Sequence, residues 1–246
     1  MANNKVMLAD FLLPYGQLVN FHFFKRHQWS AKDKLQYSAE MRYDQQQEGP
    51  DILDNFRSYL RDCYLACFGD RAREAGKADS AYEIKSPILD GNMIAARREA
   101  EEKSGDHYKG HWIIRAKSIF NSEGQRAEGG ICMVDEYGDR IPLEHAPGLI
   151  KSGCIGLLLV RGNPYTMVNQ VTGKTMLGMG LFLHGFQYAE EGEEIFGGHV
   201  GGDYASLFDT LPGAKKRQWG GTNPGAARTD IDEALEKKEQ KDIADL

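Results

Sequence analysis

Residues 16–26, GQLVNFHFFKR, alternate in a way that suits a strand: Val19, Phe21 and Phe23 fall on one side, and Asn20, His22, Phe24 and Arg26 on the other. Successive strand side chains point to opposite faces, so one face suits a core and the other water or a ligand. Residues 35–43 repeat the pattern, with Leu35, Tyr37, Ala39, Met41 and Tyr43 set against Gln36, Ser38, Glu40 and Arg42. The turn-like HQWSAKDK between them makes the two segments a half-buried antiparallel pair. The period then changes. Residues 50–76 open on Pro-Asp, carry apolar residues at helical spacing and close on Gly76, which predicts a helix. A second helical piece, NMIAARREAEEKSG, ends at Gly105.

From His111 the two-residue period returns. In HWIIRAKSIF, Trp112, Ile114, Ala116 and Phe120 share one side, while His111, Arg115 and Lys117 share the other. Further strands are predicted in GGICMVDEYG, SGCIGLLLVRGNPY and KTMLGMGLFLHGFQYAEEGEEIFGG, separated by Asn-Ser-Glu-Gly, Tyr-Gly-Asp and Val-Thr-Gly-Lys turns. In LLLVRGNPY the alternation puts Arg161, Asn163 and Tyr165 together. Glycines 178, 180 and 185 inside the last strand signal a bulge, a sharp bend or a close backbone approach. Short strands with a helical insertion at about 50–105, without βαβ alternation, predict a mainly β fold, a small antiparallel barrel. Beyond residue 200 the periodicity fades into a Gly/Pro-rich basic linker, 201–228, and a flexible acidic tail, 229–246.

Composition adjusts this picture in three places. The 246 residues, 41% hydrophobic, suffice for a sizeable core. Four cysteines in that length fit a reducing compartment, and neither a leader-like start nor a membrane-length apolar run is seen, so a cytoplasmic setting is expected. Net charge is −6, which speaks against a nucleic-acid partner until its distribution is considered. The tail holds seven acidic residues against three lysines, so −4 of the −6 lies there and −2 is left for residues 1–228. That nearly neutral body carries local basic spots, including Lys25/Arg26, Arg115/Lys117 and Lys215/Lys216/Arg217.

The recurring chemistry is a cation beside a ring on the polar side of a strand. It occurs at His22, Phe24 and Arg26, at His111, Arg115 and Lys117, and at Arg161 and Tyr165; Arg42 and Trp29 are added as further contacts. Sequence-tolerant binding of single strands needs this combination: cations neutralise phosphates and release counterions, and each stacked base contributes about 1–3 kcal/mol. The polyanionic tail is expected to compete for such a groove, and its end (Asp242, Ile243, Asp245, Leu246) to act as a short hook for a protein partner. Enzyme signatures are missing. No GxGxxG follows a strand, and there is no GxxxxGK[ST], GxSxG or HExxH. Glu190/Glu191 and Glu193/Glu194 read as solvated hairpin acids, and a zinc site joining Cys63/Cys67 to His107/His111 rests on helical spacing alone. No metal or cofactor is expected.

The segment from Gly110 to Gly198, including GHWIIRAKSIF, VDEYGDRIP and IKSGCIGLLLVRGNPYTMVNQVTGKTMLGMGLFLHGFQYAEEGEEIFGG, resembles the tailed-bacteriophage single-stranded DNA-binding proteins with an OB-fold, and the earlier LQYSAEMRYD, residues 35–44, is similar to the family's Y-S-A strand. The likeness spans about residues 5–200 and departs from the family after the second strand, where YDQQQEGP stands in place of proline-lysine. The resemblance implies an OB barrel over residues 1–200. It also implies a non-enzymatic protein that coats unpaired DNA in phage replication, recombination and repair in the host cytoplasm. Replication or recombination proteins would read the acidic tail, and a homodimer is compatible with the sequence. The rival classes are a structural or assembly component of a phage without DNA affinity, and a metal-dependent nuclease.

Overall fold

A computed structural model describes residues 6–28, 34–46, 51–120, 123–125 and 129–195. Trp29, the linker 201–228 and the tail with Asp242, Ile243, Asp245 and Leu246 lie outside the described residues. The strands are β1 (Asp10–Leu12), β2 (Gly16–His27), β3 (Gln36–Asp44), β4 (Tyr82–Lys85), β5 (Ile88–Asp90), β6 (His111–Ser118), β7 (Cys132–Val134), β8 (Ile155–Val168) and β9 (Thr175–Glu190). The helices are α1 (Asp54–Phe68), α2 (Asp70–Glu74), α3 (Gly91–Ala100) and α4 (Ala146–Leu149), with a 3-10 turn over Asp106–Tyr108.

All described strands join one sheet, in the order β1-β8-β2-β3-β6-β9-β4, and β8 also pairs with β9 along its whole length. Pairing therefore runs from β8 through β2, β3, β6 and β9 and returns to β8. The expected all-antiparallel arrangement is not what forms. β4, β6 and β7 all run parallel to β9, so the sheet is mixed. Residues 86–174, 119–174 and 135–174 separate β4, β6 and β7 from β9, and connections of that length are what parallel pairing requires.

α1 sits against the inner side of the sheet. Phe56, Leu60, Cys63, Tyr64 and Phe68 form its buried stripe and join Phe23, Tyr37, Met41, Ile114, Val160 and Leu177 in the main core. Each fully buried large apolar side chain of this kind contributes about 1.5–3 kcal/mol. The single helix expected over 50–76 is broken. Gly69 takes φ 55°, donates its N–H to the Leu65 carbonyl at 2.9 Å and ends α1 before the five-residue α2 begins.

The alternation read for β3 and β6 is the one that packs: Tyr37, Ala39, Met41, Tyr43, Ile114 and Ala116 are buried. β2 differs. Its pairing with β3 runs Leu18↔Met41 and then Asn20↔Glu40, so Val19 is an extra residue in a bulge. Val19 consequently leaves the face of Phe21 and Phe23 and joins a second small core of Ala95, Tyr108, Ile113 and Ile195 on the outer side of the sheet.

Candidate nucleic-acid interface

The outer side of the sheet is continuous across six strands. Register places His22 opposite Ser38, Ser38 opposite Lys117, Lys117 opposite Phe182, Phe182 opposite Arg161 and Arg161 opposite Asp10. Residues paired across strands point the same way, so these six make one row. With strands about 4.8 Å apart, the row from His22 to Arg161 spans about 19 Å. Toward the β8–β9 hairpin the row widens: Asn163 lies opposite Gly180 and Tyr165 opposite Gly178. Lacking side chains, the two glycines leave a trough in the sheet face. Tyr165 lies across Gly178, where a Cβ would overlap its ring, and stays 37% exposed, so one ring face rests on backbone and the other is open.

This outer face is divided in two. Over the half nearest His111, α3 and the 3-10 turn cover the sheet and seal the second core. There Glu40, only 12% exposed in its side chain, accepts hydrogen bonds from Asn20 Nδ2 at 2.8 Å and the Tyr108 hydroxyl at 2.7 Å, and forms an ion pair with Arg115. Removal from water and the neighbouring Glu40 carboxylate push the Tyr108 hydroxyl up to about 12, so it remains a donor. Arg42 donates from Nε to Gln17 Oε1 at 2.8 Å and from Nη1 to the His107 carbonyl at 3.0 Å. Gln17 in turn donates to the carbonyl of Glu193 at 2.8 Å, tying down the stretch after β9. His111 Nδ1 lies 2.6 Å from the Lys109 carbonyl oxygen. Arg42, His111 and Arg115 thus share the predicted outer side with Lys117, yet all three bond into the covered half.

The other half is left uncovered by the described residues. Lys117 is exposed, and no carboxylate among the described residues is paired with it. Arg161 is held by Asp10 in a two-pronged bond, Nε to Oδ1 at 2.7 Å and Nη2 to Oδ2 at 3.0 Å. The Arg161 guanidinium holds the Asp10 carboxyl below its usual range. β9 bulges at His184, since Val160 pairs with Leu183 and Leu159 with Gly185, and the extra residue turns its imidazole to 3.8 Å from Asp10. A cavity of about 900 Å³ opens beside Arg161, Asn163, Phe182 and His184. His22 is half-buried and its ring stacks on that of His27 at 4.2 Å. Desolvation lowers the pKa of both His22 and His184.

Two predicted contacts sit elsewhere. Phe24 is half-buried, packs on the main core and meets Phe21 edge-on at 5.7 Å, so its ring does not lie in the trough. Arg26 is half-buried near the end of β2 and has partners of its own. Phe182 has no Lys or Arg beside it on its own strand, but the turn at 169–174 holds the signal: counting back along both strands from it pairs Arg161 with Phe182. Asp10 and His184 carry no local signal. Cys63 and Cys67 lie on α1, far in the topology from the 3-10 turn that holds His107, and no group of three metal-ligating side chains occurs among the described residues.

No protein-family model and no curated protein matches the chain. Solved structures similar to it include the single-stranded DNA-binding protein from bacteriophage Enc34 in complex with ssDNA, 15% identical, covering 79% of this chain and 99% of that one at a TM-score of 0.49. The Enc34 protein in another structure is 13% identical over 81% and 90%, with a TM-score of 0.47. The single-stranded DNA-binding protein gp2.5 encoded by bacteriophage T7 is 14% identical over 85% and 98%, with a TM-score of 0.44.

Proposed function

We propose that the open half of the outer sheet face binds single-stranded DNA with little regard to sequence, and that the ring of pairings through β8, β2, β3, β6 and β9 is an OB barrel built to carry it. The observation that carries this reading is the run Lys117, Phe182 and Arg161 across three neighbouring strands, continued by Tyr165 over the Gly178–Gly180 trough. Cations set about a strand spacing from the half-buried Phe182 ring and the exposed Tyr165 ring fit a backbone whose phosphates alternate with accessible bases. A duplex keeps its bases stacked inside and offers nothing to Phe182 and Tyr165. The resemblance in sequence to phage single-stranded DNA-binding proteins supports a coating role in phage DNA replication and recombination. On this reading the protein is not an enzyme, and its acidic tail serves protein partners.

A labelled oligo(dT) titrated at two salt concentrations beside a duplex of equal length tests the reading. The expected result is a preference for the single strand, with log affinity falling linearly in log salt at about −0.7 per phosphate neutralised. Equal or better binding of the duplex, or affinity indifferent to salt, overturns it.

A further inference from the structure

β1 and β8 begin as a regular antiparallel ladder and then separate. Asp10, Phe11 and Leu12 pair with Arg161, Val160 and Leu159, but the pairing stops there and residues 6–9 diverge from β8. The wedge is the Tyr59 hydroxyl of α1. It donates to the Ala9 carbonyl at 2.8 Å and accepts from the Gly162 N–H at 3.0 Å, standing where a direct backbone bond between the two strands would otherwise form. Its ring is fixed by Phe11 at 4.8 Å and Phe56 at 6.0 Å between centroids. Burial pushes the hydroxyl up to about 12, so it keeps the proton it donates. Gly162 lets the chain pass close here, since a Cβ would come within 2.7 Å of Leu8 Cδ1 and displace that side chain.

The separation produces the cavity. Val6, Met7 and Leu8 form one wall, Gly162 and Asn163 the other, and Cys67 of α1 also lines it. The walls are mainly apolar. Pro164 brings no N–H to the free edge of β8, which discourages an added peptide strand. At the mouth stand Arg161, His184 and Asp10, and Phe182 leads into it from the row described above. We propose that this cavity is a slot for a single unpaired nucleobase, held open by Tyr59, with the adjoining phosphate drawing Arg161 away from Asp10. The Asn163 amide offers one donor group and one acceptor, so it can meet the edge of any base. The volume of about 900 Å³ lies within the range of small-ligand sites, about 300–1,000 Å³. The inference rests on the proposed affinity for single-stranded DNA and adds a place where one base leaves the strand.

Alkylation of Cys67 by iodoacetamide, followed by peptide mass spectrometry on the full chain, reports on the slot; Cys132, half-buried on β7 and outside the cavity, is the internal reference. With oligo(dT) at about ten times its Kd, Cys67 is expected to react about tenfold more slowly while Cys132 is unchanged. Binding measured in the same samples separates the two claims. Oligo(dT) that binds with normal salt dependence yet leaves Cys67 reactive overturns the slot and spares the proposed function, whereas absence of binding overturns both. Protection of Cys67 by duplex DNA also overturns it. In a second arm, Tyr59→Phe removes the bridging hydroxyl and is expected to lower affinity severalfold without altering the salt slope, because no cation is lost. Unchanged affinity in that variant overturns the role given to Tyr59. If the variant does not fold, the protection experiment on the native chain decides.

Discussion

Arg161 and Arg115 have the same charge and point from the same surface, but their carboxylate partners set them apart. Glu40 is nearly enclosed and also satisfies Asn20 and Tyr108, so Arg115 belongs to a network whose disruption would strand a buried carboxylate. Asp10 is 39% exposed in its side chain and shares Arg161 with solvent, so a phosphate can replace it. Asp10→Asn is therefore expected to tighten oligo(dT) binding severalfold at low salt, with a steeper salt dependence. An exposed pair of this kind contributes only about 0–1 kcal/mol, so the melting temperature should shift little. Binding isotherms and a thermal melt of the variant check both statements; unchanged affinity would place Arg161 outside the DNA path.

The β8–β9 hairpin supplies the shape of the proposed interface. Tyr165 needs the bare backbone of Gly178, and Gly180 keeps the trough open next to it. At Gly180 a Cβ would come no nearer than 3.6 Å to the Asn163 carbonyl oxygen, so Gly180→Ala fits the fold and fills part of the trough. The expected outcome is weaker oligo(dT) binding at unchanged stability, read by titration and urea unfolding. Retained affinity would show that the strand passes elsewhere.

Much of this element is legible in sequence because alternation in β3, β6 and β8 sorts inner from outer residues directly. Period-two counting cannot see an added residue. The bulge at Val19 switches the side of the β2 residues before it relative to those after it, and the bulge at His184 turns that imidazole toward Asp10. The three-residue β1 is too short to carry a pattern. The Asp10–Arg161 bond joins residues 151 positions apart, a separation that only the folded chain closes. Phe24 departs from expectation for a related reason: from His22 to His27 β2 advances five residues while β3 advances two, from Ser38 to Gln36, so Phe24 lies in an irregular stretch where its ring packs against Phe21 and the main core.

At the scale of the molecule, the insertion between β3 and β6 fills the inner side with α1 and caps half of the outer side with α3 and the 3-10 turn, while the described residues leave the other half uncovered. Histidines stand on both halves. His22, His107, His111 and His184 are all lowered from 6.5, in each case chiefly by removal from water. The unfolded chain takes up these protons near 6.5 and the folded chain only at lower pH. Their effect on stability is thus absent above pH 6.5 and grows unfavourable as the pH falls below it. The urea midpoint is expected to be lower at about pH 5 than at about pH 7.5, and a midpoint that rises on acidification would contradict this assignment.

The central claim is that the uncovered half of the sheet, and not its whole outer surface, meets the DNA. Lys117 is an exposed cation of that half with no carboxylate paired to it among the described residues, so the most direct measurement is the salt dependence of oligo(dT) affinity for Lys117→Ala beside the native chain. The account expects weaker binding and a slope shallower by about 0.7, one phosphate contact fewer. A slope identical to that of the native chain, with affinity intact, would contradict it.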